Sequence, residues 1–278
     1  MPGWFARWRG VFTSRSAAAG RVVPQDLWDA TLNAYPFLSR RAPEDIARLR
    51  NLAGHFLDGK EFYGAQGLTI TDAMAVAVAA QACLPVLHLP GGLDWYDDFI
   101  GIVLQPGEVI ARREVIDDAG VVHHYNEVLS GEAMDRGPIM LSWQDVAGSG
   151  ASAEQGYNVV VHEFAHKIDM RGGMPDGCPP LPPGFMGTSS ARAARKQWLS
   201  VLMPAYEAFR EKVIIAERFG GEAPWLDAYG AQSTAEFFAV ACEGYFVNRD
   251  AFARDFATLV ALFDAFFNAN MDCGASPQ

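Results

Sequence analysis

Apolar residues recur every three or four positions through residues 24–60, and this spacing predicts two helical runs. Pro36 and Pro43 separate the runs, because proline is tolerated in the first turn of a helix and disrupts its interior. Thr71 or Asp72 can then cap a third helix. That helix is apolar on nearly all sides, so we expect it to lie in the interior of the protein.

The middle of the chain changes to short apolar runs bounded by Gly and Pro, which is the pattern of β-strands. The predicted strands cover residues 100–104, 109–115, 121–129 and 139–143. The last run follows Gly137 and Pro138, and a proline at the start of a strand is typical of the edge of a sheet. We therefore expect residues 139–143 to form an edge strand.

Helical spacing returns in the second half of the chain. The predicted helices cover residues 158–170, 191–219, 233–246 and 251–268. A segment rich in Gly and Pro, residues 171–188, separates the first two. Helices around a small mixed sheet give an α+β fold that is mostly helical. We expect residues 21–278 to form a single domain and residues 1–20 to form a flexible N-terminal tail.

The composition is that of a globular protein, and it argues against binding to nucleic acid and against a transmembrane segment. The chain has 278 residues, 50% of them hydrophobic, and a formal net charge of -11. This charge argues against direct binding to nucleic acid, which requires a basic surface. The most apolar stretch, residues 73–89, contains polar residues and is too short for a transmembrane segment. The four cysteines form no CxxC pair and no signal-peptide core is present, which predicts a cytoplasmic protein with reduced thiols.

The segment His162-Glu163-Phe164-Ala165-His166 contains the pattern HExxH. Residues four apart share one face of a helix, so the imidazoles of His162 and His166 can converge on one zinc ion. Glu163 leans toward the same metal and can accept a proton from an activated water. Apolar residues before the motif favour a buried helix, where these polar side chains are costly unless they are paired or bound to metal. The alternative is a solvated helix face without a metal.

A catalytic zinc site usually has three protein ligands, so one more is expected. Glu236 is the best candidate, since it opens an apolar helix later in the chain. Glu236 also completes a capping box that begins at Ser233, and this offers a purely structural explanation. Glu243, two turns further on the same face, is the rival ligand.

Five stretches of the chain resemble the Mlc titration factor A family of bacterial cytosolic zinc peptidases, whose catalytic domain is similar to that of the toxin lethal factor. The stretches are residues 67–74, 79–83, 137–143, 162–169 and 235–240. Their combination is far more specific than HExxH alone. The resemblance implies a zincin-like fold in which His162, His166 and Glu236 bind zinc, and this favours Glu236 over Glu243. It also implies that Glu163 is the general base and that Tyr229 donates to the oxyanion.

The same resemblance implies a zinc-dependent, aminopeptidase-like hydrolase of small peptides that also binds a transcriptional repressor of the Mlc type. The substrate would lie along the predicted edge strand, residues 139–143. The alternative is a non-catalytic module that binds a regulator and holds a structural zinc. Departures from the family pattern fall in residues 171–183, which affects the substrate pocket rather than the zinc ligands.

The N-terminal tail carries aromatic residues beside arginines, among them Trp4, Phe5 and Trp8. We favour the interpretation that these aromatics cover a groove on the protein's own surface. Aromatic and basic residues together also suit insertion into a membrane surface. In that alternative the protein would be a protease of the membrane surface.

Overall fold

The computed structural model describes residues 21–116, 122–129 and 131–269. Helices hold most of these residues: α1 (Gln25–Ala34), α2 (Pro36–Ser39), α3 (Pro43–Gly59), α4 (Asp72–Ala82), α5 (Trp143–Ser152), α6 (Val159–Met170), α7 (Ala191–Phe219), α8 (Thr234–Val247), α9 (Arg249–Asp255) and α10 (Ala257–Phe267). The strands of the described residues are β1 (Glu61–Gly64), β2 (Gly101–Gln105), β3 (Val109–Ile116), β4 (Val122–Leu129), β5 (Gly131–Ala133) and β6 (Ile139–Ser142). This mostly helical architecture with a small mixed sheet fits the predicted α+β class. The predicted tail, residues 1–20, lies outside the described residues.

Four of the described strands form a mixed sheet in the order β1-β2-β6-β5. β1, β2 and β6 are parallel, whereas β5 pairs with β6 in the antiparallel direction. The prediction that residues 139–143 form an edge strand is wrong, because β6 is paired on both sides. Pro138 precedes the first paired residue, Ile139, so its missing N–H costs the sheet no hydrogen bond.

The edge of the sheet beside β6 is β5, which has only three residues, Gly-Glu-Ala. Its register places Gly131 opposite Leu141 and Ala133 opposite Ile139. A strand this short and without β-branched residues leaves no signal in the sequence, so it escaped prediction. β3 and β4 form a separate antiparallel pair, and this confirms the two strands predicted there.

Helices α4 and α8 form the centre of the hydrophobic core. Every residue of α4 from Met74 to Ala82 is buried, which confirms the interior helix predicted from its apolar pattern. The predicted cap is also present, since Oγ1 of Thr71 accepts a hydrogen bond from Met74 N–H at 3.3 Å. α8 is buried throughout from Phe237 to Val247. Among the described residues, no helix is both long and apolar enough to cross a membrane.

The last helical run differs from the prediction of one helix over residues 251–268. α9 and α10 meet at Phe256, whose φ of -130° and ψ of 45° are not helical. The Phe256 ring lies 5.9 Å from the ring of Phe237 and 5.4 Å from that of Phe252, measured between centroids. The partly buried ring of Phe256 thus packs against the core at the point where the helix is interrupted. The sequence does not reveal the break, because apolar residues continue at helical spacing across it.

Candidate metal centre

Helix α6 carries the HExxH residues and begins at a capped end inside the core. Oδ1 of Asn158 accepts a hydrogen bond from Val161 N–H at 2.8 Å and so caps the helix. Nδ2 of Asn158 donates to Oε1 of Gln81 at 2.7 Å, which ties the start of α6 to α4. The rings of His162 and His166 lie one turn apart, with centroids 4.8 Å from each other. The helix therefore presents two imidazoles at a fixed spacing.

Three donor atoms converge beside these rings. Nε2 of His162 and Nε2 of His166 are 3.2 Å apart, and each lies 3.1 Å from Oε2 of Glu236. In the part of the chain that the structure describes, these side chains form the one group of three whose ligand atoms all lie within 4.8 Å of one another. Two imidazole nitrogens and a carboxylate oxygen are donors suited to a divalent transition metal. The donor set thus fits the metal that the sequence led us to expect.

Glu236 reaches the histidines from the first turn of α8. Oγ of Ser233 accepts a hydrogen bond from Glu236 N–H at 3.1 Å and caps that helix. The carboxylate of Glu236 does not complete the capping box, because it turns instead toward His162 and His166. The helix cap therefore explains the backbone position of Glu236. It does not explain the carboxylate, which contacts His162 and His166.

Glu243, the rival ligand, lies on the other side of His162. Its Oε1 is 2.8 Å from Nδ1 of His162, and its Oε2 accepts a hydrogen bond from Asn158 N–H. The residue is only 1% exposed. A carboxylate on Nδ1 favours the tautomer in which Nδ1 carries the proton, and this leaves the lone pair of Nε2 free to bind a metal. Glu243 therefore contacts the ring nitrogen of His162 that faces away from Glu236 and His166, and it lies outside the group of three converging donor atoms.

The buried charges of the centre perturb one another. Burial raises the pKa of Glu236, but hydrogen bonds with His162 and His166 outweigh it and hold the pKa well below its usual range. Burial lowers the pKa of His162, while hydrogen bonds with Glu236 and Glu243 raise it well above its ordinary value. Glu236 is therefore an anion at neutral pH, as a metal ligand has to be.

Glu163 lies beneath the edge strand β5. It is 4% exposed, and burial raises the pKa of its carboxyl against the opposing effect of the two histidines. A Cβ atom added to Gly131 would lie 2.5 Å from Oε1 of Glu163. The absence of a side chain at Gly131 therefore makes room for the carboxylate. This glycine was not predicted as a site residue, because the three-residue strand that contains it leaves no signal in the sequence.

Tyr229 approaches the centre from a short 3-10 turn, Ala228–Ala231. Its ring centroid lies 6.0 Å from that of His162. Oδ1 of Asp227 accepts a hydrogen bond from Tyr229 N–H at 2.9 Å and holds the turn. The structure thus brings all five predicted site residues into one region.

The Gly- and Pro-rich segment after α6 is anchored beside the start of α8. Gly177 N–H donates to Oδ2 of Asp169 at 2.7 Å, and Gly177 O accepts from Nε1 of Trp198 at 2.7 Å. The φ of Gly177 is +80°, and a Cβ atom there would lie 2.5 Å from Thr234 O. Only glycine fits at this position, so the segment packs two residues from Glu236.

Two histidines one turn apart on a buried helix, together with a carboxylate from a second helix, are characteristic of a metal-binding protein. Residues 8–268 match the family described as glucose-regulated metallo-peptidase M90, and the chain belongs to this family.

Relatives named Mlc titration factor A support this assignment. The protein from Enterobacter sp. (strain 638) is 33% identical over 95% of this chain and 97% of its own length. The protein from Serratia proteamaculans (strain 568) is 35% identical over 86% of each chain. The protein from Salmonella arizonae is 34% identical over 87% of this chain and 90% of its own length. The predicted resemblance to the Mlc titration factor A family is therefore confirmed.

Proposed function

We propose that the protein is a zinc-dependent peptidase whose zinc ligands are His162, His166 and Glu236. The observation that carries this proposal is the convergence of two Nε2 atoms and one carboxylate oxygen at 3.1 to 3.2 Å. Two histidines and one glutamate are a frequent ligand set of catalytic zinc. In this proposal residues 21–278 form one zincin-like domain.

A zinc ion bound there would polarise the scissile carbonyl and make water more acidic. Glu163 is proposed as the general base, because it follows the first proposed ligand, His162, and lies against Gly131 of β5. Its carboxylate takes a proton from the attacking water and later delivers that proton to the leaving amine. Burial raises the pKa of Glu163, which makes its carboxylate a better proton acceptor.

Tyr229 is proposed to stabilise the negative charge that develops on the carbonyl oxygen. Its ring lies beside that of His162, with the two ring centroids 6.0 Å apart. A phenol O–H aimed at that oxygen contributes more in the transition state than in the ground state. This assignment rests on family resemblance together with the position of the ring.

The substrate is proposed to bind along β5 instead of β6, because β5 is one of the two edge strands of the described sheet and passes over Glu163. An extended peptide that adds a strand to this edge would bring a peptide bond close to Gly131. The activity implied by resemblance is aminopeptidase-like and directed at small peptides.

Metal content tests the ligand set. We expect about one zinc per chain in the protein as purified and a clear loss in Glu236→Ala, because a three-ligand site loses a charged donor. Glu217→Ala, at an exposed position of α7, is the matched control and should retain the metal. Equal zinc in Glu236→Ala and the control would refute the ligand assignment.

Turnover tests the base. Glu163→Gln keeps the size of the side chain but cannot accept the proton, so we expect zinc to remain and peptide hydrolysis to fall at least about 100-fold. Hydrolysis at the normal rate by a zinc-loaded Glu163→Gln protein would contradict the proposed role.

A second function, binding to a transcriptional repressor of the Mlc type, is proposed because the relatives carry the name Mlc titration factor A. In the alternative to a peptidase, this chain is a non-catalytic module that binds the repressor and holds a structural zinc. Glu163→Gln separates the two functions, since a binding module needs no base. We expect this variant to bind a purified Mlc-type repressor like the unaltered protein in calorimetry, and failure of both proteins to bind would remove this function.

A further inference from the structure

Lys167 lies in the interior at a position that no part of the proposed chemistry uses. It follows His166 on α6 and its residue is 0% exposed. Its Nζ donates to two backbone carbonyls, Met134 O and Gly137 O, the second at 2.9 Å. Both carbonyls belong to the turn that leads from β5 to β6. A buried ammonium is costly unless its donors are satisfied, so this contact is built into the fold.

The turn itself has a defined shape. Gly137 N–H donates to Met134 O at 3.1 Å, and Met134 N–H donates to Pro138 O at 3.4 Å. Arg136 has a φ of 51°, in the left-handed region. Two carbonyls of the turn thus face inward to one ammonium, which has three donors to offer.

Glu163 and Lys167 are four residues apart and therefore share one face of α6. Glu163 lies under Gly131, the first residue of β5, and Lys167 holds Met134, the residue after its end. One face of the metal-carrying helix thus contacts both ends of the three-residue edge strand. β5 pairs with β6 through only three residue pairs, and so short a pairing does not by itself fix the position of β5 relative to α6.

We propose that Lys167 is a positioning residue that fixes the distance between β5 and the carboxylate of Glu163. By fixing this distance, Lys167 determines the affinity for extended peptides. This inference rests on the proposed peptidase function, because it assumes that the substrate adds a strand to β5. Substrate residues that lie beside Ala133 and Met134 would depend on the Lys167 contact. A substrate with only one residue before the scissile bond would depend on it much less.

Lys60 provides a matched control. It is also an interior lysine, and its Nζ donates to the carbonyls of Tyr96 and Phe99. Both ammonium groups approach the ring of Phe99, Lys60 at 3.8 Å and Lys167 at 4.5 Å from its centroid. The carbonyls that Lys60 holds precede β2 and are not part of β5 or its turn. Loss of either lysine removes a similar set of contacts, but only Lys167 affects β5.

The first test compares Lys167→Met with Lys60→Met in steady-state kinetics on two substrates, a quenched-fluorescent alanine-rich hexapeptide and an alanine anilide. For the hexapeptide, Lys167→Met should raise KM at least about tenfold, because hydrogen bonds from a charged group are lost. We expect kcat for both substrates, and KM for the anilide, to stay within about threefold of the values of the unaltered protein. Lys60→Met should leave both KM values unchanged. An equal effect of both variants, or an effect on kcat alone, would overturn the proposal.

The second test measures hydrogen exchange and does not depend on activity. Amides of residues 131–142 should exchange faster in Lys167→Met than in Lys60→Met, since the turn loses its inner contact. Unchanged exchange would overturn the role of Lys167 whether or not the protein is a peptidase. Faster exchange in a protein that cleaves neither substrate would reject the proposed function and leave the structural contact standing. If Lys167→Met does not fold, Lys167→Gln retains an N–H donor and should show a smaller change in the same direction.

Discussion

Some residues of the candidate metal centre direct a donor atom toward the point where the three donor atoms converge. Other residues hold these side chains in place. His162 shows both relations, since its Nε2 faces Glu236 and its Nδ1 contacts Glu243. Glu243 in turn accepts a hydrogen bond from Asn158, the cap of α6. Orientation of a ligand by a second carboxylate is common at metal sites, and it raises the basicity of the imidazole.

Substitution of Gly131 tests the position of the proposed base, Glu163. Gly131→Ala would place a Cβ atom 2.5 Å from Oε1 of Glu163 and force the carboxylate to move. We expect kcat for peptide hydrolysis to fall about 100-fold while zinc content stays normal, because a displacement of about 1 Å at a catalytic group costs that much. Gly148→Ala is the control, as a Cβ atom there meets nothing within 4 Å. Full activity of Gly131→Ala would place the base elsewhere.

At the scale of elements, local patterns predict helices well and predict short strands poorly. The interior position of α4 follows from its own residues, and the HExxH spacing singled out His162 and His166. The edge strand could not be predicted, since Gly131 to Ala133 become a strand only by pairing with β6. The apolar run of β6 was wrongly assigned to the edge for the same reason: pairing partners lie far away in sequence.

The junction between α6 and the following segment gives a prediction on stability. Burial raises the pKa of Asp169 to about 6, with Asp176 adding to the effect and Gly177 N–H and His166 opposing it. The folded state therefore holds this proton more tightly than the unfolded state, whose carboxyl titrates near 3.8. Stability contributed by the protonated carboxyl is complete below pH 3.8 and is lost as the pH rises through about 6.

Asp169→Asn tests this prediction, because an amide still accepts from Gly177 N–H and does not ionise. Between pH 4 and 7 the free energy of unfolding of the metal-free protein should fall by up to about 3 kcal/mol more than that of the variant. Urea denaturation in the presence of a chelator at several pH values measures the difference. Parallel pH profiles of the two proteins would show that Asp169 ionises at its ordinary pKa.

At the scale of the whole molecule, Trp198 of α7 joins the segment after α6 to the C-terminal helices. Its indole stacks on Phe263 with centroids 5.9 Å apart, and it also contacts the rings of Phe238 and Phe266. Its Nε1 donates to Gly177 O at 2.7 Å. One side chain thus links the aromatic core to the segment that packs beside Glu236.

Trp198→Ala should therefore lower the free energy of unfolding by about 3–5 kcal/mol, as expected for removal of a large buried aromatic side chain. Phe219→Ala, at the end of the same helix, is the control because Phe219 is 78% exposed. We expect its effect to stay within about 0.5 kcal/mol. Chemical denaturation of both variants measures the difference, and similar values would mean that the aromatic cluster repacks around the cavity.

The donor set joins side chains that are far apart along the chain: His162 and Glu236 are separated by 74 positions. An unfolded chain cannot hold them together, so the metal binds almost entirely to folded molecules. At a free metal concentration about 100 times its Kd, this preference adds about 2.7 kcal/mol to the free energy of unfolding. When a chelator captures only free metal, the metal is lost no faster than it leaves the folded chain and the unfolding chain together. The rate of metal loss then also reports how often the chain unfolds.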